Sequence, residues 1–221
     1  MEKHAFNIAI DGPAGAGKST IAKLVAKKLD FIYVDTGAMY RAIALYLLRS
    51  GVDTADEAAV SEAVKNADIT ICYRDGAQQV ILNGEDVSGL IRTEEVGNTA
   101  SAVSVYPAVR AHLLELQRSL AGSRNVIMDG RDIGTVVLPN AQVKIYLTAS
   151  SMVRARRRYD ELTAKGETCD LEKIRQDIED RDYRDMHRET SPLKQADDAV
   201  LVDTSDMTIE QVIDRIVELI G

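Results

Sequence analysis

A glycine-rich segment near the start of the chain restricts its fold more than any other feature. The segment reads Gly12-Pro13-Ala14-Gly15-Ala16-Gly17-Lys18-Ser19 and matches the phosphate-binding loop pattern G-x-x-x-x-G-K-[ST] at every defined position. A short apolar run, residues 5–10, precedes it, and an amphipathic helical pattern follows. We therefore predict a buried strand, a loop and a helix, in which backbone N–H groups and the positive end of the helix dipole face phosphate oxygens.

The same segment predicts which side chains bind a nucleoside triphosphate. Lys18 is expected to bridge the β- and γ-phosphates, and the Ser19 hydroxyl is expected to reach a magnesium ion. We assign the residues from Gly12 to Thr20 to ATP, with Mg²⁺ as the cofactor and Ser19 as its protein ligand. The loop predicts triphosphate binding but not the reaction.

The rest of the chain alternates between strand-like and helix-like segments, which is typical of a mainly parallel sheet covered by helices. The predicted strands are residues 5–10, 31–34, 125–128, 143–147 and 199–202, and the predicted helices are residues 38–48, 55–66, 107–120, 151–165, 170–187 and a closing helix. Two further strand-like runs, 68–73 and 78–82, flank Arg74-Asp75-Gly76 and predict an antiparallel hairpin inside this order.

Local signals refine the ends and faces of two helices. Pro107 and Gly122 are expected to lie just inside the start and just past the end of the helix at 107–120. Thr208 and Gln211 suit a capping box for the closing helix. The residues expected to face the core are Val109, Leu113, Leu116 and Leu120 in the first helix, and Ile209, Val212, Ile213 and Ile216 in the closing one.

Composition limits the kinds of partner. The 221 residues carry a formal net charge of −8, which argues against a general nucleic-acid binder because such proteins are usually basic. No apolar run approaches the ~20 residues of a membrane span, and residues 1–4 lead into the first strand without room for a signal peptide. Cys72 and Cys169 lie far apart, without metal-ligand spacing. We expect a soluble, cytoplasmic protein that binds neither nucleic acid nor membranes.

An anionic ligand of so acidic a chain needs a local cluster of cations. Arg41 lies one turn into an otherwise apolar predicted helix, where its charge opposes the helix dipole. Arg131 follows a buried strand, at the sheet edge where ligands of such folds bind. Both predict a second anion site, as a kinase with a phosphorylated acceptor requires. A salt bridge to a protein carboxylate is the alternative for Arg41, and a solvated loop is the alternative for Arg131.

A third group of charges lies on the predicted helix 170–187. Its apolar stripe continues on the same face as Arg181, Asp185 and Arg188, which favours a lid that closes over a polar ligand. The alternative is a solvated helix whose charges pair with each other. Three arginines of the preceding helix are candidates for the same lid: Arg154, Arg157 and Arg158. No N-K-x-D or T-K-x-D segment, which a GTPase uses to bind guanine, occurs in the chain.

Taken together, these segments resemble the bacterial cytidylate kinases over essentially the whole chain. Besides the phosphate loop, the resemblance is carried by Thr36-Gly37-Ala38-Met39-Tyr40-Arg41, Asn83-Gly84-Glu85-Asp86-Val87-Ser88, Ile91-Arg92-Thr93, Ser101, residues 107–110, Asp129-Gly130-Arg131-Asp132-Ile133-Gly134-Thr135-Val136-Val137 and residues 181–188. The resemblance implies an α/β fold with a parallel-sheet P-loop kinase core, a small antiparallel β insert and a helical lid. We expect the core at residues 1–67 and 93–221, the lid at about 154–190 and a monophosphate-binding insert at 68–92.

The resemblance also implies ATP with Mg²⁺ as the donor, CMP and dCMP as acceptors, and a monomer. Expected catalytic residues are Lys18, Arg131 and Arg181; Arg157 is assigned to ATP; the acceptor is assigned to Thr36, Tyr40, Arg41, Ser101, Arg110, Arg131, Asp132, Arg181, Asp185 and Arg188. Within this set, Arg41 and Arg131 would hold the acceptor phosphate, and Arg181 and Asp185 would reach the sugar. Thr36 stands where serine is the expected form and keeps the hydroxyl.

Four residues of the set would read the base: Ser101, Arg110, Asp132 and Arg188. From the residues alone, two other readings stay open. One is a kinase of UMP or another small acceptor, and the other is a P-loop sensor that binds nucleotide and signals to a partner protein.

Base recognition yields a test at Asp132. A carboxylate accepts a hydrogen bond from the cytosine amino group, whereas uracil presents a carbonyl oxygen at that position. We expect Asp132→Ala to lower kcat/KM for CMP far more than for UMP, because sites built on buried hydrogen bonds discriminate by as much as ~10⁴–10⁵. The measurement is kcat/KM for both acceptors in wild type and variant. An unchanged CMP-to-UMP ratio would remove Asp132 from base recognition.

Overall fold

The computed structural model describes residues 5–221; residues 1–4, on which the expectation of no signal peptide rests, lie outside the described part. The elements in chain order are β1 (Asn7–Asp11), α1 (Lys18–Leu29), β2 (Ile32–Asp35), α2 (Thr36–Arg49), α3 (Glu57–Ala63), β3 (Ile69–Arg74), β4 (Ala77–Leu82), β5 (Glu85–Asp86), α4 (Glu94–Val103), α5 (Pro107–Ser123), β6 (Val126–Gly130), β7 (Val143–Thr148), α6 (Ser151–Ala164), α7 (Leu171–His187), β8 (Val200–Asp203) and α8 (Ile209–Ile220). Short 3₁₀ turns at Val64–Asn66 and Leu90–Arg92 and a π-helical turn at Ile133–Val137 complete the list.

The chain divides into two compact units. One comprises Val34–Arg124, and we call it the helix–hairpin unit; the other comprises Ala5–Tyr33 and Asn125–Gly221, and we call it the sheet unit. The predicted insert, residues 68–92, lies within the helix–hairpin unit. The predicted division into core, insert and lid stays a prediction.

The sheet unit is built on a five-stranded sheet of order β2-β6-β1-β7-β8, which confirms the predicted parallel α/β architecture. Central strand β1 pairs in parallel with β6 and β7, and β7 pairs in parallel with β8. The register sets Asp11 beside Gly130 and Tyr146. The end of β1, where the phosphate loop begins, therefore lies at the same sheet edge as the end of β6, where the charged segment begins.

Apolar residues of the strands and of helices α1 and α8 form the core of this unit. Its buried members include Ile8, Ile10, Ile21, Ala22, Val25, Ile127, Ile145, Leu147, Val202, Val212 and Ile216. The predicted capping box at Thr208 and Gln211 is confirmed, since each side chain accepts a hydrogen bond from the other residue's backbone N–H. The expected core position of Ile209 is wrong, because the first residue after the cap lies 48% exposed.

In the helix–hairpin unit the predicted antiparallel hairpin is confirmed. Strand β4 pairs with β3 on one side and with the two-residue strand β5 on the other, and Asp75 and Gly76 of the turn have the positive φ angles that such a turn requires. Helix α4 lies in a segment for which the sequence analysis predicted no helix. Thr93 caps it by accepting a hydrogen bond from the Val96 N–H, and its first turn is acidic.

Helix α5 is longer than predicted. It runs to Ser123, so the expectation that Gly122 lies past its end is wrong. The longer helix turns a different stripe inward: Val109, Leu113, Gln117 and Ala121 are buried, while Leu116 and Leu120 are only partly covered. Among residues 5–221, no helix combines the length and the apolar character that crossing a membrane requires.

The entry to the phosphate loop depends on the absence of a side chain at Gly12. This residue has φ +150°, and a Cβ built there would overlap the carbonyl oxygen of Leu147 on the neighbouring strand. We expect Gly12→Ala to lower the thermal unfolding midpoint by roughly 5 °C or more and to abolish ATP binding, because either backbone or strand must shift. Gly97→Ala in helix α4, where a Cβ meets open space, is the control and should keep or raise the midpoint. Indistinguishable melting curves for the two variants would contradict this account.

Candidate active site

The phosphate loop links β1 to α1 as the sequence predicted. Gly15 and Gly17 have φ angles of 74° and 86°, which turn the backbone sharply ahead of the first helical residue, Lys18. The Lys18 side chain is buried, and its Nζ donates to the carbonyl oxygen of Pro13 at 2.7 Å. The Lys18 side chain therefore folds back along the phosphate loop.

Burial strongly affects the charge on Lys18. Loss of water and the positive charge of Arg131 lower the pKa of Lys18 to about 7, although Asp129, Asp11 and Asp185 act in the opposite direction. An anionic ligand at this position would favour the charged form. The carboxylates of the protein thus offset only part of the effect of burial on Lys18, and a bound anion would supply the remaining negative charge.

Ser19 is joined to Asp129 at the end of β6. The serine hydroxyl donates to one carboxylate oxygen of Asp129 at 2.9 Å, and the hydroxyl of Tyr33 donates to the other at 2.8 Å. A hydroxyl and a carboxylate at this spacing are hard oxygen donors of the kind that Mg²⁺ takes, together with substrate phosphates and water. Within residues 5–221 no cluster of three or more His, Cys, Asp or Glu side chains suits a metal by itself.

Asp11 ties the phosphate loop to the segment after β6. Its carboxylate accepts hydrogen bonds from the N–H groups of Ile133 and Gly134 at 2.8 and 2.7 Å. Burial raises the pKa of Asp11 to about 6, even though these two N–H groups favour the ionised form. This contact holds the π-helical turn, and with it the preceding Arg131 and Asp132, at the start of the loop.

Helix α7 supplies partners for the charged segment. The Arg131 Nε donates to the Asp185 carboxylate at 2.8 Å, and an Arg188 Nη2 lies 3.9 Å from the buried carboxylate of Asp132. Burial alone would raise the pKa of Asp185, but the charges of Arg131, Arg181 and Arg188 hold it below its usual range. Four predicted acceptor residues are therefore brought together: Arg131, Asp132, Asp185 and Arg188.

Arg181 lies one helical turn before Asp185 and is one of the charges that act on it. Arg157, assigned to ATP, contacts the residue that follows β8. Its guanidinium donates to the backbone oxygen of Thr204 at 2.8 Å and to its hydroxyl at 3.3 Å. The described contacts thus connect Arg181 with the α7 cluster and Arg157 with the segment between β8 and α8.

In the helix–hairpin unit, Asp35 organises the start of α2. Its side chain caps the helix by accepting from the Ala38 N–H at 3.0 Å and also pairs with Arg92 at 3.0 Å. A Cβ built at Gly37 would lie 3.3 Å from both Arg41 Nη1 and an Asp35 oxygen, so the Arg41 guanidinium lies over this first turn. Thr36, the first helical residue, is buried beside it.

The remaining predicted acceptor residues of this unit also lie close together. The Arg110 guanidinium stands 5.6 Å from the centre of the Tyr40 ring, in a cation–π contact, and donates to the Ser104 carbonyl oxygen at 3.2 Å. The Ser104 hydroxyl in turn donates to the carbonyl oxygen of Ser101 at 2.9 Å. Tyr40, Arg110 and Ser101 are therefore connected through one short network.

Comparison with known proteins decides the family. A family model described as cytidylate kinase matches residues 8–221. The chain belongs to the cytidylate kinase family. It is 50% identical to the cytidylate kinase of Lactobacillus johnsonii over 224 residues, covering 100% of this chain and 97% of that protein. It is also 50% identical to that of Carboxydothermus hydrogenoformans over 216 residues, covering 98% and 97%.

Membership of this family makes the chain a kinase, that is, a phosphotransferase. A solved structure supports the fold alone: an uncharacterized protein from Eubacterium ventriosum superposes with a TM-score of 0.51 at 11% identity, over 96% of each chain. The resemblance inferred from the sequence is confirmed. The roles of individual residues stay predictions.

Sequence reasoning did not single out several charged residues of the site. Asp11, Asp35 and Asp182 are buried and accept hydrogen bonds from groups far along the chain. Asp182 lies among other charged residues of α7, and no local pattern distinguishes it there. Asp11 and Asp35 could have been found as carboxylates that end an apolar run beside a loop or a helix start. Such a carboxylate needs donors once the fold is formed.

The lowered pKa of Lys18 has a consequence for nucleotide binding. At pH 8 about nine-tenths of the free protein carries neutral Lys18, because the pKa is about 7. Donor phosphates favour the ammonium form, so ATP binding at pH 8 should take up close to one proton at this site. Calorimetric titration in buffers of different ionisation enthalpy measures that uptake.

Lys18→Met is the control for this titration, because it removes the titrating group and keeps much of its length. The difference between wild type and variant should be large at pH 8 and vanish at pH 6, where Lys18 is already charged. Equal proton uptake by the two proteins at pH 8 would show that Lys18 does not titrate on binding.

Proposed function

We propose that this chain transfers the γ-phosphate of ATP to CMP and dCMP, giving ADP and CDP or dCDP. Family membership supports this assignment. The structural observation that carries it is the set of two Arg–Asp pairs in the sheet unit, Arg131–Asp185 and Arg188–Asp132. The charges of Arg131 and Asp185 also act on Lys18 of the phosphate loop. A kinase that acts on a phosphorylated acceptor needs such a second group of cations beside its phosphate loop.

The donor side follows from the loop. Backbone N–H groups of the loop between Ala14 and Thr20 hold the phosphates, and Lys18 neutralises charge on the β- and γ-phosphates. The Ser19 hydroxyl and the Asp129 carboxylate, 2.9 Å apart, would hold Mg²⁺. When bound, this ion supplies further neutralisation of the phosphate oxygens. Arg157 is assigned to ATP from the family resemblance.

The acceptor residues are assigned from the family resemblance. Arg41 and Arg131 bind the acceptor phosphate, and Arg181 and Asp185 bind the sugar. The base is assigned to Ser101, Arg110, Asp132 and Arg188, with Thr36 and Tyr40 as further acceptor residues. The buried pair of Asp132 with Arg188 supports a cytosine site, because a carboxylate accepts from the amino group and a guanidinium donates to the adjacent acceptors of the same base edge.

Transfer itself requires little covalent help from the protein. An oxygen of the acceptor phosphate forms a bond to the γ-phosphorus while the bond from that phosphorus to the bridging oxygen breaks, and ADP leaves. Lys18, Arg131 and Arg181 stabilise the charge on the moving group. The attacking oxygen is already anionic, so we assign no general base. Mg²⁺ as the cofactor, the cytoplasmic location and the monomeric state remain predictions.

A coupled assay for ADP release tests the proposal. We expect release with CMP and dCMP, much less with UMP, and little without acceptor. Lys18→Met should lower turnover at least ~100-fold, as removal of a charge stabiliser usually does. Lys28→Met is the matched control, because Lys28 lies on the same helix in an exposed pair with Asp214 and should leave turnover unchanged.

Each other outcome has a distinct meaning. Preferred release with UMP would make the chain a kinase of another acceptor. ATP binding without release in the presence of any monophosphate would favour a nucleotide sensor. Near-normal turnover of Lys18→Met would remove Lys18 from the mechanism.

A further inference from the structure

Arg154, in the first turn of α6, contacts three separate segments of the sheet unit. Its Nε donates to the Ala149 carbonyl oxygen at 2.9 Å, its Nη1 to the Ala14 carbonyl oxygen at 2.8 Å and its Nη2 to the Asp182 carboxylate at 2.6 Å. The residue is only 5% exposed. A buried guanidinium with donors committed in three directions has little freedom to reorient.

The contact with the phosphate loop is close as well as polar. A Cβ built at Gly15 would lie 3.5 Å from the Arg154 Cβ, so the arginine stem packs against the loop next to the Ala14 carbonyl. The first turn of α6 is itself anchored, because the Ser150 side chain accepts from the Val153 N–H and the Ser150 carbonyl oxygen accepts from the Arg154 N–H. A fixed helix end therefore supports the middle of the phosphate loop.

The contact with α7 is made at the face that bears the acceptor residues. Asp182 follows Arg181 and lies three residues before Asp185, which puts Asp182 and Asp185 on one face of the helix. Asp185 pairs with Arg131, and Asp182 pairs with Arg154. Two ion pairs to different segments define the rotation of α7 about its axis. They also define the direction of Arg181, which directly precedes Asp182 on the same helix.

We infer that Arg154 is a positioning residue that couples the phosphate loop to helix α7. It touches neither substrate in this assignment; it holds the loop carbonyl at Ala14 and the carboxylate of Asp182 in one arrangement. Occupation of the loop by ATP thereby stabilises α7, and Arg181 and Asp185 are held ready for the acceptor. This inference rests on the proposed function for its consequence in catalysis, but its physical content is the coupling of loop and helix.

Hydrogen exchange tests the coupling without any acceptor. A non-hydrolysable ATP analogue added to the wild type should slow exchange of the amides in Leu171–His187. In Arg154→Met that ligand-dependent slowing should be lost. A role in stability alone would speed exchange equally with and without the analogue and would leave the difference unchanged, which would overturn the inference. Arg156→Met, an exposed arginine of the same helix, is the control and should behave like the wild type.

Two further variants keep the test informative if Arg154→Met folds poorly. Asp182→Asn removes the charge from the same pair and should reduce the ligand-dependent slowing in the same direction. Arg154→Lys can donate to the loop or to Asp182 but lacks the planar fork, so it should restore only part of the effect. Full slowing in both of these variants would also overturn the inference.

Kinetics with ATP and CMP separates the two proposals. Wild-type turnover of CMP tests the proposed function, whereas the variants test the coupling. Arg154→Met should lower kcat roughly 30- to 100-fold, as a misplacement of about 1 Å does, with a much smaller change in the KM for ATP. A raised KM for ATP with unchanged kcat would assign Arg154 to donor binding instead and overturn the positioning role.

Discussion

Burial of positive charge is the constraint on which the sheet unit depends. The whole chain carries a net charge of −8, yet Lys18 and Arg154 are buried at the point where phosphates are expected. Moving an ion out of water costs several kcal/mol unless a partner and hydrogen bonds compensate. Helix α7 meets this requirement with Asp182 for Arg154 and Asp185 for Arg131. Its acidic residues are therefore part of the internal charge balance, which explains why an apolar helix face becomes ionic midway along.

The buried carboxylate of Asp11 is compensated by backbone N–H groups instead of by a charged side chain. It is buried at the end of β1, and the N–H groups of Ile133 and Gly134 bind both of its oxygens. Burial raises the pKa of Asp11 from 3.8 to about 6. The folded protein therefore holds a proton on the Asp11 carboxyl group more tightly than the unfolded chain does. The contribution of Asp11 to stability is therefore greatest below pH 4, falls as pH rises to about 6 and is constant above that. At neutral pH the ionised Asp11 therefore contributes less to stability than the protonated form does at low pH. Its hydrogen bonds with Ile133 and Gly134 nevertheless fix the segment that bears Arg131 and Asp132.

Most of the sheet unit could be predicted because its signals are local. The phosphate loop, each buried strand and the capping box at Thr208 are all recognised from residues that lie only a few positions apart within that one feature. Helix α4 could not be predicted in this way, since Gly97, Asn98 and Thr99 are weak helix formers and the helix depends on its Thr93 cap and on packing against α2. Long-range pairs are harder still. Arg154 and Asp182 are 28 residues apart and meet only because α6 and α7 pack together, so the charge pattern favoured a lid without revealing this contact.

The ion pairs of the sheet unit also explain how an acidic protein can bind two anionic substrates. The Arg131 charge is balanced by Asp185 in the structure. When an acceptor phosphate takes the Arg131 charge, as proposed, Asp185 keeps Arg181 and Arg188 nearby and remains ionised, since these charges already contribute to its lowered pKa. Its oxygens then become acceptors for the sugar hydroxyls assigned to it. On this proposal the same carboxylate compensates a buried arginine before binding and accepts from the sugar afterwards, so that phosphate binding and sugar binding would be linked through one residue.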